Sequence, residues 1–147
     1  MKVTNLKLLA TSDKDLRVIA AHLQDSIVTP KDIANLKKNR IFLIQLNRFM
    51  WEDVEKGVFR KNKRIRTILK FDNVINVLSK NIDLKNDKKF LDFLTIESIL
   101  LPDKSYEIKL IFSGNVIIKV STEVIDVTLD DQGSPWESKT SPKHNFL

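Results

Sequence analysis

The stretch RIFLIQLNRFMWEDVEKGVFRKNKRIR, residues 40–66, joins the most apolar strand-like run of the chain to its densest cluster of positive charge. Residues 41–46 are uncharged and almost wholly apolar, which predicts a strand in the core. Six lysines and arginines lie within residues 56–66. Between these parts, residues 47–52 place an arginine, two aromatic residues and a carboxylate where the strand would leave the core. We therefore expect the functional surface of the protein in residues 40–66.

Upstream of this stretch, residues 13–24 predict an amphipathic helix. Its apolar residues repeat at the i, i+3, i+4, i+7 spacing of one helix face. They are Leu16, Ile19, Ala20 and Leu23. Ser12 is suited to cap the helix, because its side-chain oxygen can accept a hydrogen bond from a free backbone N–H group in the first turn.

The rest of the chain has a strand-like period. The predicted strands after the helix are residues 33–36, 41–49, 65–71, 74–78, 94–101, 106–112, 116–120 and 124–129. The last of them also fits a helix, residues 6–9 predict a short strand before the helix, and residues 38–40 predict a hairpin tip. A sheet with one apolar face must curl or receive a helix to bury that face. The predicted fold is therefore α+β, with one N-terminal amphipathic helix packed on a curved antiparallel sheet or partial barrel of about seven strands in meander order.

Length and composition fit one globular domain. The chain has 147 residues, of which 42% are hydrophobic and 30% charged. We expect residues 1–132 to form this domain and residues 133–147 to form an extended or disordered tail. No apolar run approaches the roughly 20 residues that a membrane-spanning helix needs, and the N-terminus does not resemble a secretory signal, so we expect a cytoplasmic protein. Cysteine is absent, which excludes disulfides and thiolate chemistry.

Positive charge is concentrated in the first half of this basic protein. The net charge is +6, and all six arginines lie between Arg17 and Arg66. Such an asymmetry permits a basic face suited to nucleic acid or another polyanion. A lysine-rich composition inherited from an AT-biased genome explains the same asymmetry without a partner.

Aromatic residues interrupt the basic run, and single-stranded nucleic-acid binders combine cationic grooves with aromatic platforms. The candidate binding residues are Arg48, Trp51, Phe59, Arg60, Lys61, Lys63, Arg64 and Arg66. A long solvated hairpin loop explains the run equally well.

Few residues of the chain are suited to a catalytic role. The chain has two histidines, His22 and His144, and three isolated glycines, so no glycine-rich phosphate loop can be built. A polar cluster would form if the helix end lay over the emerging strand. Its members would be His22, Gln24, Asp25, Asn47 and Glu52. A buried structural network explains such a cluster better than an active site does, and we predict no catalytic residue, cofactor or metal site.

Four segments carry a resemblance to a known family. They are LKLLATSDKDLRVIAAHLQDSIV (residues 6–28), LNRFMWE (46–52), LKFDNVINVLSKNID (69–83) and DQGSPW (131–136). On these segments the chain resembles an uncharacterised bacterial family of small single-domain proteins, domain of unknown function 2948. The resemblance implies a single-domain cytoplasmic bacterial protein. The family has no established activity, cofactor or catalytic residue, so the resemblance implies none.

The sequence thus favours a non-catalytic cytoplasmic binding or adaptor domain that engages a protein or a polyanion. One alternative is a nucleic-acid-associated protein that uses the basic loop, residues 56–66. Another is an enzyme with a polar site around His22 and Arg48.

Overall fold

A computed structural model describes residues 5–50, 63–85 and 88–137. Within them the chain forms one α-helix, α1 (Asp13–Leu23), and ten β-strands. The strands are β1 (Lys7–Ala10), β2 (Ile27–Val28), β3 (Ile33–Leu36), β4 (Ile41–Phe49), β5 (Lys63–Phe71), β6 (Val74–Lys80), β7 (Leu91–Leu100), β8 (Tyr106–Phe112), β9 (Val116–Thr122) and β10 (Val127–Glu137). Among these residues no helix is both long and apolar enough to span a membrane.

The predicted helix is confirmed, together with its cap. The Ser12 hydroxyl oxygen accepts a hydrogen bond from the Asp15 backbone N–H at 3.1 Å. Asp15 in turn accepts from the Thr11 N–H, and this hydrogen bond holds the pKa of the Asp15 carboxyl below its ordinary value. The four apolar residues predicted to face inward are all buried, and α1 packs chiefly on β7.

The strands form one antiparallel sheet in the order β1-β10-β5-β4-β2-β7-β8-β9-β6, with β3 also paired to β4. The prediction of a helix packed on an antiparallel sheet is confirmed. The predicted strand number is wrong, since the described residues hold ten strands rather than about seven. Meander order holds only within β3–β4–β5 and β7–β8–β9. Side-chain alternation does not encode which strands pair, and β2 has only two residues, too few to show a period.

The sheet is open rather than a closed barrel. In the described residues β1 stands at one end of the strand order and β6 at the other. One backbone link joins the beginnings of β4 and β6: the Val74 N–H donates to the Arg40 carbonyl at 3.0 Å. Arg40 adopts the left-handed conformation, with φ of 58°, at the hairpin tip predicted for residues 38–40.

The core lies between the inner face of the sheet and α1. In β4 the residues Phe42, Ile44 and Leu46 are buried, which confirms that residues 41–46 form a core strand. Phe42 stands opposite Phe71 of β5, with the ring centroids 5.9 Å apart. The buried face of α1 belongs to the same apolar cluster, so helix and sheet share one core.

β10 continues beyond residue 132. β10 shifts register between Gln132 and Trp136, where Gly133 adopts a φ of 70°, and Trp136 then stands opposite Arg64. Residues 133–137 of the expected tail are therefore part of the sheet, while residues 138–147 lie outside the described chain. The domain boundary at residue 132 stays a prediction.

Candidate functional site

Arg48, the first of the predicted binding residues, lies in the core. It continues the row of inward-facing residues on β4, and none of its surface is exposed. Its guanidinium donates two hydrogen bonds to the carboxylate of Asp131 in β10, from Nε to Oδ1 at 2.8 Å and from Nη2 to Oδ2 at 2.7 Å. Nη1 donates to the Phe49 carbonyl at 3.4 Å. Arg48 is therefore one half of a buried, bidentate ion pair.

Asp131 connects this ion pair to a third part of the chain. Its Oδ2 accepts a hydrogen bond from the Leu6 N–H at 2.8 Å, and its own N–H donates to the Leu6 carbonyl at 3.0 Å. The pair thus joins β4, β10 and the residue that precedes β1. Three of the segments that carry the family resemblance, residues 6–28, 46–52 and 131–136, meet here.

Arg64 of β5 is also buried, on the opposite face of the sheet. It is 6% exposed and stands opposite Phe49. Its Nη1 donates to the carbonyls of Asn47 at 3.1 Å and Asp25 at 3.3 Å. Burial lowers the pKa of Arg64, and the charges of Asp25 and Asp92 partly offset that effect. A guanidinium stays charged at neutral pH even so.

Two residues of the predicted polar cluster, Asp25 and Asn47, lie beside Arg64. Asp25 and Asn47 meet there, each through its backbone carbonyl. Asp25 adopts a left-handed φ of 64° just after α1, and its N–H donates to the Phe93 carbonyl at 3.0 Å. These hydrogen bonds join the end of α1 to β4, β5 and β7.

Two other members of the predicted cluster lie at the end of α1. His22 is half-buried in the last turn of α1, and Gln24 is exposed where the helix ends. Glu52 lies outside the described residues. Residues 5–50, 63–85 and 88–137 contain no group of three or more His, Asp or Glu side chains that could hold a metal ion.

The remaining predicted binding residues divide into two groups. Lys63 is half-buried, while Arg66 is exposed on the outer face of β5, opposite Asn47. Trp51, Phe59, Arg60 and Lys61 lie outside the described residues. The described residues on either side of that segment are hydrogen-bonded to each other, since the Met50 N–H donates to the Lys63 carbonyl at 3.0 Å.

A cleft of about 520 Å³ lies beside the same end of β4. We call it the lysine cleft. It is lined by Ile27, Val28, Thr29, Pro30, Lys31, Asp32, Asn47, Leu84, Lys85, Lys88 and Phe90. Its volume falls within the range of small-molecule binding sites.

Positive charge and one aromatic ring distinguish this cleft. Lys31, Lys85 and Lys88 are exposed around it. The only carboxylate among the described lining residues, that of Asp32, accepts a hydrogen bond from the Thr29 hydroxyl at 2.8 Å. Phe90 is 74% exposed, which is unusual for a phenylalanine. The lysines can attract the anionic group of a ligand, and the Phe90 ring offers a flat apolar face to the rest of that ligand.

Sequence reasoning did not find this cleft. Lys31 follows β2, whereas Lys85, Lys88 and Phe90 lie between β6 and β7. Only the pairing of β2 with β4 and β7 brings the two segments together. The one local signal was Phe90, which directly follows two lysines.

The described residues thus form a small α+β domain in which one helix packs on an open antiparallel sheet. A family model matches residues 6–144, nearly the whole chain, and the protein belongs to that family, described as protein of unknown function (DUF2948). The resemblance found in the four sequence segments is thereby confirmed. No curated protein and no solved structure matches the chain.

Proposed function

We propose that this protein is a non-catalytic binding domain that holds a polyanionic partner at the lysine cleft. The observation that carries the proposal is the convergence of Lys31, Lys85 and Lys88 on one cavity. Lysine ammonium groups neutralise phosphates or carboxylates and release their counterions, which gives salt-dependent affinity. Arg66 extends the basic surface, since it lies opposite Asn47, which lines the cleft.

Phe90 favours a nucleic acid as the polyanion, which is our second, more specific candidate function. Nucleic-acid bases stack on exposed aromatic rings, and each stacked base contributes about 1–3 kcal/mol. A cytoplasmic adaptor that holds an acidic protein surface would use the same lysines without needing the ring. The enzymatic alternative receives less support, because the donors of Arg48 are turned toward Asp131 in the core.

The test measures binding of a labelled oligothymidylate of about twelve nucleotides by fluorescence anisotropy across a salt series. The cleft variant replaces Lys31, Lys85 and Lys88 by glutamine. A matched control replaces Lys7, Lys14 and Lys104 by glutamine. These three exposed lysines lie outside the cleft, so both variants lose the same charge.

We expect the cleft variant to bind at least about tenfold more weakly and its salt dependence to fall by about two in log–log slope. The control should differ little from the wild type. Equal weakening in both variants would contradict a site in the cleft, and absence of binding even at low salt would contradict nucleic acid. Phe90→Ala should weaken binding of the oligonucleotide but not of heparin, which has no bases to stack.

A further inference from the structure

The edge of β6 is a second surface suited to binding a partner. β6 stands at one end of the sheet, and within the described residues its only partner strand is β9. Alternate N–H and C=O groups of an edge strand point away from its neighbour and can pair with another extended backbone. The natural ligand of such an edge is therefore an extended chain.

A groove of about 550 Å³ runs beside this edge. It is lined by Asn35, Lys37, Arg40, Val74, Ile75, Asn76, Val77 and Glu123. The β3–β4 hairpin thus forms one wall and β6 the other. Arg40 and Val74 close one end, because the Val74 N–H donates to the Arg40 carbonyl and Arg40 Nε donates to the Val74 carbonyl at 3.2 Å. Beyond this link no strand pairing joins the two walls in the described part of the chain.

The middle of β6 lacks the features that protect edge strands. Proteins block such edges with bulges and charged residues. Here the register shift lies at the beginning of the strand, between Val74 and Asn76, and the only lysine, Lys80, lies at its end. Between them Ile75 and Leu78 are each about half exposed. An added strand could cover both side chains.

The charge around the groove indicates which side chains an added strand would carry. Lys37 lines the groove and is exposed, and the next residue along the chain, Lys38, is exposed as well. The acidic residue of the lining, Glu123, is engaged by the Arg40 guanidinium. The surroundings are therefore positive, and acidic side chains on an added strand would be attracted to them.

We propose that the groove between β6 and the β3–β4 hairpin binds an extended acidic segment of a partner protein, which adds a strand to β6. At about 3.3 Å per residue, a segment of about six residues matches residues 75–80. This surface is distinct from the lysine cleft. Arg40 lines the groove and Asn47 lines the cleft, and seven residues of extended chain place them about 23 Å apart along β4.

The test uses a synthetic peptide of about six residues with alternating valine and glutamate, added to the isotope-labelled protein. Binding is followed by amide chemical shifts and by hydrogen exchange. We expect alternate amides of residues 75–80 to exchange more slowly when the peptide is present. A peptide with N-methylated backbone should lose binding, since strand addition needs its N–H groups.

The variant that tests the surface is Ile75→Glu combined with Leu78→Glu. Its matched control is Val18→Glu combined with Ile99→Glu, since these side chains are also about half exposed and lie outside the groove, on α1 and β7. We expect at least about tenfold weaker peptide binding in the first variant and little change in the second. The glutamine variant of the lysine cleft should bind this peptide normally, which separates the two proposals.

Three results would overturn the proposal. The N-methylated peptide could bind as well as the parent, which would indicate charge attraction alone. The shifts could be confined to residues outside the groove. The protein alone could form a dimer that protects residues 75–80, in which case a second copy of the chain would be the occupant of the edge.

Discussion

Arg48 of β4 and Arg64 of β5 carry the same charge as the lysines of the lysine cleft but lie in the opposite environment. Arg48 and Arg64 are buried and donate to Asp131 and to backbone carbonyls. Lys31, Lys85 and Lys88 are exposed around a cavity. The densest basic cluster in the sequence therefore overstates the positive charge of the surface near it, because Arg64 contributes little to that surface.

The chemistry of the two side chains explains this division. A guanidinium is planar, weakly hydrated for a cation and able to bind a carboxylate with two hydrogen bonds. A lysine ammonium is strongly hydrated, which makes burial costly and favours a solvent-facing position. The difference teaches that counting lysine and arginine together as positive charge conceals which residues a partner can reach.

The largest expected effect comes from breaking the buried pair. Asp131→Ala leaves the Arg48 charge in the core without its carboxylate, which should lower the free energy of unfolding by about 3–5 kcal/mol. Urea titration followed by circular dichroism measures the loss. The double variant Arg48→Met with Asp131→Leu removes both charges and should recover most of the stability. A loss below about 1 kcal/mol in Asp131→Ala would mean that the pair is not isolated from water as described.

A smaller effect is expected at Arg64. Arg64→Met retains much of the side-chain volume but removes the donors to the Asn47 and Asp25 carbonyls, so we expect a loss of about 1–3 kcal/mol in the free energy of unfolding. The matched control is Arg66→Met on the same strand, which is exposed and should change stability by about 0.5 kcal/mol or less. Equal losses at the two positions would abolish the distinction between buried and exposed arginines.

The smallest effect concerns binding alone. Lys85→Gln with Lys88→Gln removes two charges from the cleft, whereas Arg60→Gln with Lys61→Gln removes two from the basic run of the sequence. We expect the first pair to weaken polyanion binding by about tenfold and the second by about twofold or less. Fluorescence anisotropy at constant salt measures both. The reverse order would show that proximity in sequence, rather than the cleft, defines the basic surface.

Local patterns were sufficient to predict the helix and the central strand. The spacing of Leu16, Ile19, Ala20 and Leu23 identified the buried face of α1, and Ser12 identified its start. The apolar run of residues 41–46 identified β4. These features depend on neighbours within a few residues, which a sequence displays directly.

The buried pair and the cleft could not be predicted in the same way. The period of β4 does place Arg48 on the same face as Leu46, but a charged residue is expected outside unless its partner is known. That partner, Asp131, lies 83 residues away in a strand whose neighbours local patterns do not reveal. The cleft likewise depends on β2, whose two residues give no period.

The position of β10 between β1 and β5 has a consequence for how the chain folds. During synthesis β1 leaves the ribosome long before β10, its only partner strand in the described residues. The edge of β5 that pairs with β10 also stays unpaired until β10 has been synthesised. The contacts that complete this half of the sheet therefore join residues far apart in the sequence, which raises the contact order and slows folding. Until β10 has been translated, the unpaired strand edges are open to aggregation.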